Sequence, residues 1–200
     1  MEADTVREFV GDIGEEADRL TRISEKLLTL TRLDSAPAPS PEPVDIKQVA
    51  EKVCHMLKPL SDAVNVTVER RLEEGCIVPA NADDIYQVAF NLIENAIKYN
   101  LPGGSVIVTL TRTETVAELR VEDTGVGIPE EDMPRIFDRF YRVDKARSRA
   151  AGGTGLGLSI VRDTVRQHGG VVSACQRSPD GTCFTVVLPL WEGEKGGRAL

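Results

Sequence analysis

Four prolines at alternate positions, Pro37, Pro39, Pro41 and Pro43, set the strongest limit on how this chain can fold. Proline fixes φ at about −65° and carries no N–H, so no helix passes through this run and the backbone there stays extended. The 200 residues therefore divide into a segment over 1–35, a linker over 36–44, a larger unit over 45–190 and a Gly- and charge-rich tail over 191–200. The first segment places Phe9, Ile13, Leu20, Ile23, Leu27 and Leu30 in steps of four and three, with Glu16 as the one interruption. That is the seam of a long heptad-patterned helix. Arg7, Glu8, Asp12, Glu15, Asp18, Arg19, Arg22, Glu25 and Lys26 occupy its other faces. One helix cannot bury such a stripe alone, so the segment is expected to meet other helices, and self-association through Phe9, Ile13, Leu20 and Leu27 is the expected outcome.

Composition narrows the larger unit. A content of 41% hydrophobic residues builds a sizeable core, and a formal charge of −8 argues against nucleic acid or an anionic membrane as the main partner. Cys54, Cys76, Cys175 and Cys183 lie far apart with no Cys-x-x-Cys pair, which reads as reduced core thiols in a cytoplasmic setting. No apolar run approaches the roughly 18 to 20 residues of a membrane span, so any anchor is expected in a longer parent.

Within 45–190, Asp45 is expected to cap a helix with Ile46, Val49, Val53, Leu57 and Leu60 inward, kinked or ended at Pro59. Val64, Val66 and Val68 alternate as a strand, and Ile77 and Val78 form a second. Asp83 or Asp84 is expected to cap a helix reaching Tyr99, with Ile85, Val88, Ala89, Leu92 and Ala96 on one face. Asn91, Asn95 and Lys98 share a neighbouring face of it. Amide oxygens at that spacing suit a hard cation such as magnesium, and a lysine beside them suits phosphate.

A hairpin follows: Val106 to Leu110, then a strand in which Ala117, Leu119 and Val121 alternate with Glu118, Arg120 and Glu122 and end on Asp123. Asp123-Thr-Gly-Val-Gly-Ile-Pro129 then offers a carboxylate beside two glycines, where a flat ligand can approach backbone. Between 135 and 149, Arg135, Arg139, Arg142, Lys145, Arg147 and Arg149 outnumber Asp138 and Asp144, and Phe137, Phe140 and Tyr141 cluster beside them. This reads as a hinge and basic lid calling for an anion. Gly152 to Ser159 is a glycine-rich loop opening into a helix, the arrangement that favours phosphate, yet it has neither the Gly-Lys-Ser/Thr ending of a P-loop nor a dinucleotide fingerprint. His168 before Gly169 and Gly170 is read as a cap or packing residue, and Val171 to Cys175 and Thr182 to Leu188 as the last strands.

Taken in order, four of these stretches resemble the boxes of sensor histidine kinases. Asn91-Leu-Ile-Glu-Asn95-Ala-Ile-Lys98-Tyr99 resembles the N box, and Asp123-Thr-Gly125-Val-Gly127-Ile128-Pro the first glycine box. Ile136-Phe137-Asp-Arg-Phe140-Tyr-Arg142 resembles the F box, and Gly153-Thr154-Gly155-Leu156-Gly157-Leu158-Ser the second glycine box. The resemblance implies an α+β fold, the Bergerat two-layer α/β sandwich with a mixed sheet covered on one face by helices. It implies ATP and Mg2+ as cofactors and the second helix of the dimerisation and phosphotransfer hairpin over Phe9 to Ser35. By it, Asp123 accepts from the adenine amino group with Gly125, Gly127 and Ile128 against the base, and Thr182 lies beside adenine. Asn95 with Asn91 holds magnesium, Lys98 and Arg142 steady phosphate charge, Tyr99 contacts the nucleotide, and the loop from Gly153 through Thr154, Gly155, Leu156 and Gly157 to Leu158 cradles the triphosphate.

The implied partners are the hairpin histidine of a parent kinase, homodimeric and membrane-anchored or not, and a response-regulator receiver domain. Neither His55 nor His168 has the sequence context of the accepting histidine, so the chain alone is expected to hold ATP but not to autophosphorylate. Two alternatives remain. An ATPase of the gyrase or chaperone kind would need a glutamate four residues before Asn95, where this chain has Asn91; Glu94 points about 100° away. A non-catalytic, nucleotide-dependent dimerising or scaffolding module would use the heptad helix to dimerise.

Overall fold

The computed structural model describes residues 2–35, 40–143, 153–177 and 180–192, and within the first helix side chains only among residues 11–33. That helix, α1, spans Glu2–Ser35. The side chain of Phe9 lies outside the described residues, while Ile13, Leu20 and Leu27 are 54%, 58% and 41% exposed. Leu30 is instead buried, packed on Leu156 and Ile160 of the larger unit with Leu33 beside it. Among the described residues, the apolar stripe is thus covered only toward its C-terminal end.

The proline run does not remain a linker throughout. Its last residues join strand β1, Glu42–Asp45, which pairs antiparallel with β3, Ile77–Ala80, setting Pro43 opposite Pro79 and Val44 opposite Val78. Proline is tolerated there because, among the described residues, the ribbon has two strands and neither is paired to a further strand on its outer side. Asp45 caps α2, Ile46–Ala63, by accepting from the Lys47 N–H at 2.9 Å. The helix continues past Pro59 to Ala63, so Pro59 neither ends it nor sets its boundary. Val64 then serves as its C-cap and Asn65 turns at φ 56°, so the expected strand over Val64 to Val68 starts later, as β2, Thr67–Leu72.

Helix α3, Ala82–Lys98, is capped by Asn81 rather than by Asp83 or Asp84. Asn81 Oδ1 accepts from the Asp83 and Asp84 N–H groups at 2.9 and 3.3 Å, which leaves both aspartates in the first turn, where their charge meets the positive end of the helix. Strands β4, Ser105–Arg112, and β5, Val116–Asp123, follow, then helix α4, Gly157–Gln167, and strands β6, Val171–Gln176, and β7, Thr182–Pro189. The five-stranded sheet runs β2-β4-β5-β7-β6, parallel between β2 and β4 and antiparallel elsewhere.

Strand β5 buries Ala117, Leu119, Val121 and Asp123 while its other residues stay half exposed, the signature of a sheet covered on one side. Val53 and Leu57 of α2, Ile85, Val88 and Leu92 of α3 and Val161 and Val165 of α4 pack on that side, against Val106, Val108, Leu119, Val121, Phe184 and Val186. This is the two-layer sandwich with a mixed sheet. Among the described residues, no helix is long and apolar enough to cross a membrane.

Candidate functional site

A cleft of about 340 Å³ opens between α3, the end of β5, the segment through Arg142 and the start of α4. At one end lies Asp123, only 6% exposed although it is a carboxylate. Its Oδ1 accepts from the backbone N–H of Gly125 at 2.8 Å and of Thr182 at 3.2 Å. No bond to Oδ2 occurs among the described residues, and the side chain lines the cleft. Burial pushes its carboxyl above the usual range, and the two backbone bonds only partly offset that. Glycine is required around it by space. A Cβ on Gly125 would stand 2.4 Å from the Tyr99 carbonyl oxygen, and one on Gly181, at φ 102°, would stand 1.9 Å from the Asp123 carbonyl oxygen. Gly127 turns at φ 69°, beside Val126, whose N–H donates to Tyr99 O at 3.2 Å.

Along the wall, α3 presents Asn91, Asn95, Lys98 and Tyr99. Asn91 is buried, and its amide nitrogen donates to Gln87 O at 2.9 Å. That bond fixes which end of the amide is the oxygen: Oδ1 would be 3.0 Å from a Cβ on Gly157, so the missing side chain there keeps the oxygen clear. Lys98 is engaged by Glu94 at 2.8 Å across one helical turn, and Glu94 also lines the cleft.

The opposite wall is set by backbone at one point and by side chains elsewhere. Phe140, at φ 65°, donates its N–H to Gly155 O at 2.8 Å, and Gly155, at φ 72°, has the Phe140 backbone where a Cβ would be, 2.8 to 3.0 Å away. Ile136, Tyr141 and Arg142 face the cleft from this segment, with Phe137 edge-on to Phe184 at 6.4 Å. Arg135 lies over the Tyr141 ring at 4.3 Å, and Tyr141 OH donates to Asp132. Gly153, Thr154, Gly155, Gly157 and Leu158 line the far end. Lys145, Arg147, Arg149 and Gly152 lie outside the described residues.

Most residues singled out from the sequence therefore face one cleft, including Ile128 and Thr182. Gly125 and Leu156 stand outside its lining: Gly125 sits behind the Asp123 carboxylate, and Leu156 is fully buried against Leu30 and Ile160. Two contributors escape sequence reading. Gly181 precedes Thr182 in what reads as an ordinary turn, and Lys26 reaches the cleft from α1, where the heptad pattern marks it only as an outward residue. His168, the C-cap of α4, is hydrogen-bonded to Asp84 at 3.1 Å, and Arg32 of α1 pairs with the same carboxylate. Burial raises the Asp84 carboxyl, but the His168 and Arg32 contacts outweigh it and hold the group below its ordinary value. This cluster joins α1, α3 and α4.

The model of histidine kinase-, DNA gyrase B-, and HSP90-like ATPases matches residues 80–192. The chain belongs to this family. Sensor histidine kinase WalK of Bacillus subtilis is 34% identical over 189 residues, covering 90% of this chain and 30% of that protein. The mycobacterial sensor histidine kinase MprB superposes with a TM-score of 0.66 at 30% identity, covering 74% of this chain and 97% of that one. Full-length ShkA, solved in complex with AMPPNP, superposes with a TM-score of 0.77 at 26% identity over 92% of this chain and 38% of that one. The chain spans less than half the length of the curated relatives first matched.

Proposed function

We propose that this chain is the ATP-binding catalytic part of a sensor histidine kinase, which holds ATP with magnesium and presents the γ-phosphoryl to a histidine on the parent's phosphotransfer hairpin. The phosphoryl then passes to an aspartate of a response-regulator receiver domain. The observation that carries the reading is the buried Asp123, with one oxygen held by two backbone N–H groups and the other side of the carboxylate on an open cleft. Such a group is a fixed acceptor for an exocyclic amino group, and the apolar surfaces of Ile128, Val126 and Phe184 beside it suit a flat base.

The rest of the cleft fits a triphosphate and a hard cation. Asn95 and Asn91 offer amide oxygens for magnesium. The backbone from Gly153 to Leu158 at the start of α4 offers N–H groups to phosphate, and Arg142 and Lys98 supply positive charge. Magnesium bound there would neutralise charge between the phosphates. The protein's own contribution is positioning and electrostatic stabilisation, with the nucleophile brought from outside the cleft. Hydrolysis by water is the weaker reading: Asn91 cannot act as a base, and Glu94 is tied to Lys98. The exposed stripe of Ile13, Leu20 and Leu27 supports a role for α1 as one helix of a dimeric hairpin.

Nucleotide titration with and without magnesium, beside Asp123→Asn, tests this. Loss of one charge-assisted bond predicts weakening of about tenfold or more. Equal affinities overturn the assignment. With a separately prepared phosphotransfer hairpin, label from γ-labelled ATP should appear on the hairpin histidine as an acid-labile adduct, and none on this chain alone.

A further inference from the structure

Cys175 and Cys183 stand directly opposite each other on β6 and β7. Neither is used by the cleft chemistry, and both thiols are free. They share the sheet face turned away from the helices, since the intervening Phe184 and its neighbour Val186 point into the core. Cys175 is exposed and Cys183 buried, so one sulfur can meet a solute while the other is shielded. The shielding comes partly from Arg120, whose Nη2 lies 3.6 Å from Cys183 Sγ and 3.3 Å from Glu122 Oε1.

Their register sets what joining them would do. Arg177 donates its N–H to Gly181 O at 3.1 Å, which makes 177 and 181 a hydrogen-bonded pair, and strict alternation makes 175 and 183 another. Opposed Cα atoms in such a pair lie about 5.5 Å apart, inside the disulfide range of about 4.4 to 6.8 Å. Their Cβ atoms, at up to about 5.5 Å, exceed the about 3.5 to 4.5 Å a disulfide needs, so closing the bond draws the strands together by about an ångström. The residues next along each strand are tied to the cleft. Thr182 donates its N–H to Asp123 Oδ1 at 3.2 Å, and the Gln176 side chain donates to Ile128 O at 3.2 Å.

We infer that Cys175 and Cys183 form a reversible oxidation site, at which a peroxide closes a cross-strand disulfide and weakens nucleotide binding at the Asp123 end of the cleft. The exposed Cys175 sulfur attacks a peroxide oxygen, breaking the O–O bond to give a sulfenic acid and one water when the oxidant is hydrogen peroxide. Cys183 sulfur then attacks Cys175 sulfur, the S–O bond breaks, and the hydroxyl leaves with the Cys183 proton as a second water. Two thiols lose two electrons and one peroxide gains them. A dithiol reverses the step by exchange.

The effect on binding rests on the proposed nucleotide site, and the linkage itself does not, so one experiment separates them. The whole chain is treated with hydrogen peroxide, alkylated and digested with trypsin, which places Cys175 in the peptide Gln167 to Arg177 and Cys183 in Ser178 to Lys195. These two peptides should be recovered joined, and separate after reduction. ATP affinity should fall about fivefold on oxidation and return with dithiothreitol. Cys175→Ser, altered at an exposed position, should bind as the reduced protein does and ignore peroxide. Unjoined peptides, or joined peptides with unchanged ATP affinity, overturn the inference. Joined peptides in a chain whose reduced form binds no ATP overturn the nucleotide reading and the coupling, and leave the oxidation site standing.

Discussion

The two ends of the cleft are held by different means. At Asp123 the backbone does the holding: the Gly125 and Thr182 N–H groups fix one carboxylate oxygen, and Gly181 fits under the Asp123 carbonyl where no side chain has room. At Lys98 and Arg142 the surroundings are mostly side chains, with Lys98 paired to Glu94 and, a little further out, Arg139 to Asp163 at 3.0 Å. Backbone contacts of the first kind are pre-formed and costly to disturb. Ion pairs between partly exposed groups are worth about 0.2 to 1 kcal/mol and exchange readily for contacts to a ligand. In the proposed nucleotide site, a base that must be told from the wrong ring would meet the first arrangement, and the charged groups beside a phosphate that must leave would be of the second.

The sharpest way to break this contrast is Gly181→Ala. The added Cβ meets backbone at 1.9 Å and the residue sits at φ 102°, so neither rotation nor a flexible neighbour relieves the clash. A loss of about 3 to 5 kcal/mol is expected by urea unfolding. Gly103→Ala is the control: φ is 82° but nothing lies within 4 Å, so only the backbone cost of about 1 kcal/mol remains. Similar losses from both would mean that the Asp123 end is not rigid. Gly155→Ala, facing the Phe140 backbone at 2.8 to 3.0 Å, should cost about 1 to 3 kcal/mol, since the segment it pushes has an exposed side chain and can give way. Its effect should register as faster amide exchange from residues 136–142, with the sheet unchanged.

Those positions also show how far the sequence could be read. The alternation of β5 brings a carboxylate to a strand end, and the two glycines after it mark a close approach of backbone, because both signals are local. Gly181 carries no local signal: what makes it necessary is Asp123, 58 residues earlier in the chain, placed beneath it by the β5–β7 pairing. The same holds for Asp84. It reads as a helix cap because Asp, Ser and Asn all cap, yet Asn81 takes that part and Asp84 is left to bind Arg32 and His168 from remote elements. The spacing of Lys98 with Asn91 and Asn95 puts its charge on the face beside them, but neither spacing nor charge tells a ligand site from an intrahelical pair when Glu94 is one turn away. The extended proline run was legible as non-helical, but its pairing with β3 depends on a strand more than thirty residues on.

Asp123 and Asp84 are both buried carboxylates, and pH should separate them. The Asp123 carboxyl is raised in the folded state, so the unfolded chain ionises first and stability falls as pH rises from about 4 through the folded value. Asp123→Asn keeps an oxygen for both N–H groups and removes that loss, so the nucleotide-free protein should melt higher at pH 7, with the gain vanishing below about pH 4. Asp84 has the opposite sign. Its lowered value contributes stability that is present above about pH 4 and lost as pH falls through the folded value, so Asp84→Asn should melt lower at pH 7. Thermal melts of the two variants across pH 3 to 7 that ran parallel would show that both carboxylates serve the fold alike.

The smallest effect sits at the other end of the cleft. Glu94 and Lys98 are 20% and 30% exposed and one helical turn apart, a pair worth about 0.3 to 0.5 kcal/mol. Glu94→Gln should therefore leave urea stability within about 0.5 kcal/mol of the parent chain. It also releases the Lys98 ammonium toward the cleft and removes a negative charge from its wall, and both changes favour an anion. ATP affinity should rise about two- to threefold, with most of the gain lost at high salt, where screening weakens such contacts. ADP, one phosphate shorter, measures where the freed charge acts: an equal gain for ADP and ATP places Lys98 against the inner phosphates, and a gain confined to ATP places it against the terminal one. A fall in affinity would mean that Glu94 positions Lys98 for the phosphates instead of holding it back, and the side-chain end of the cleft would then be as fixed as the backbone end.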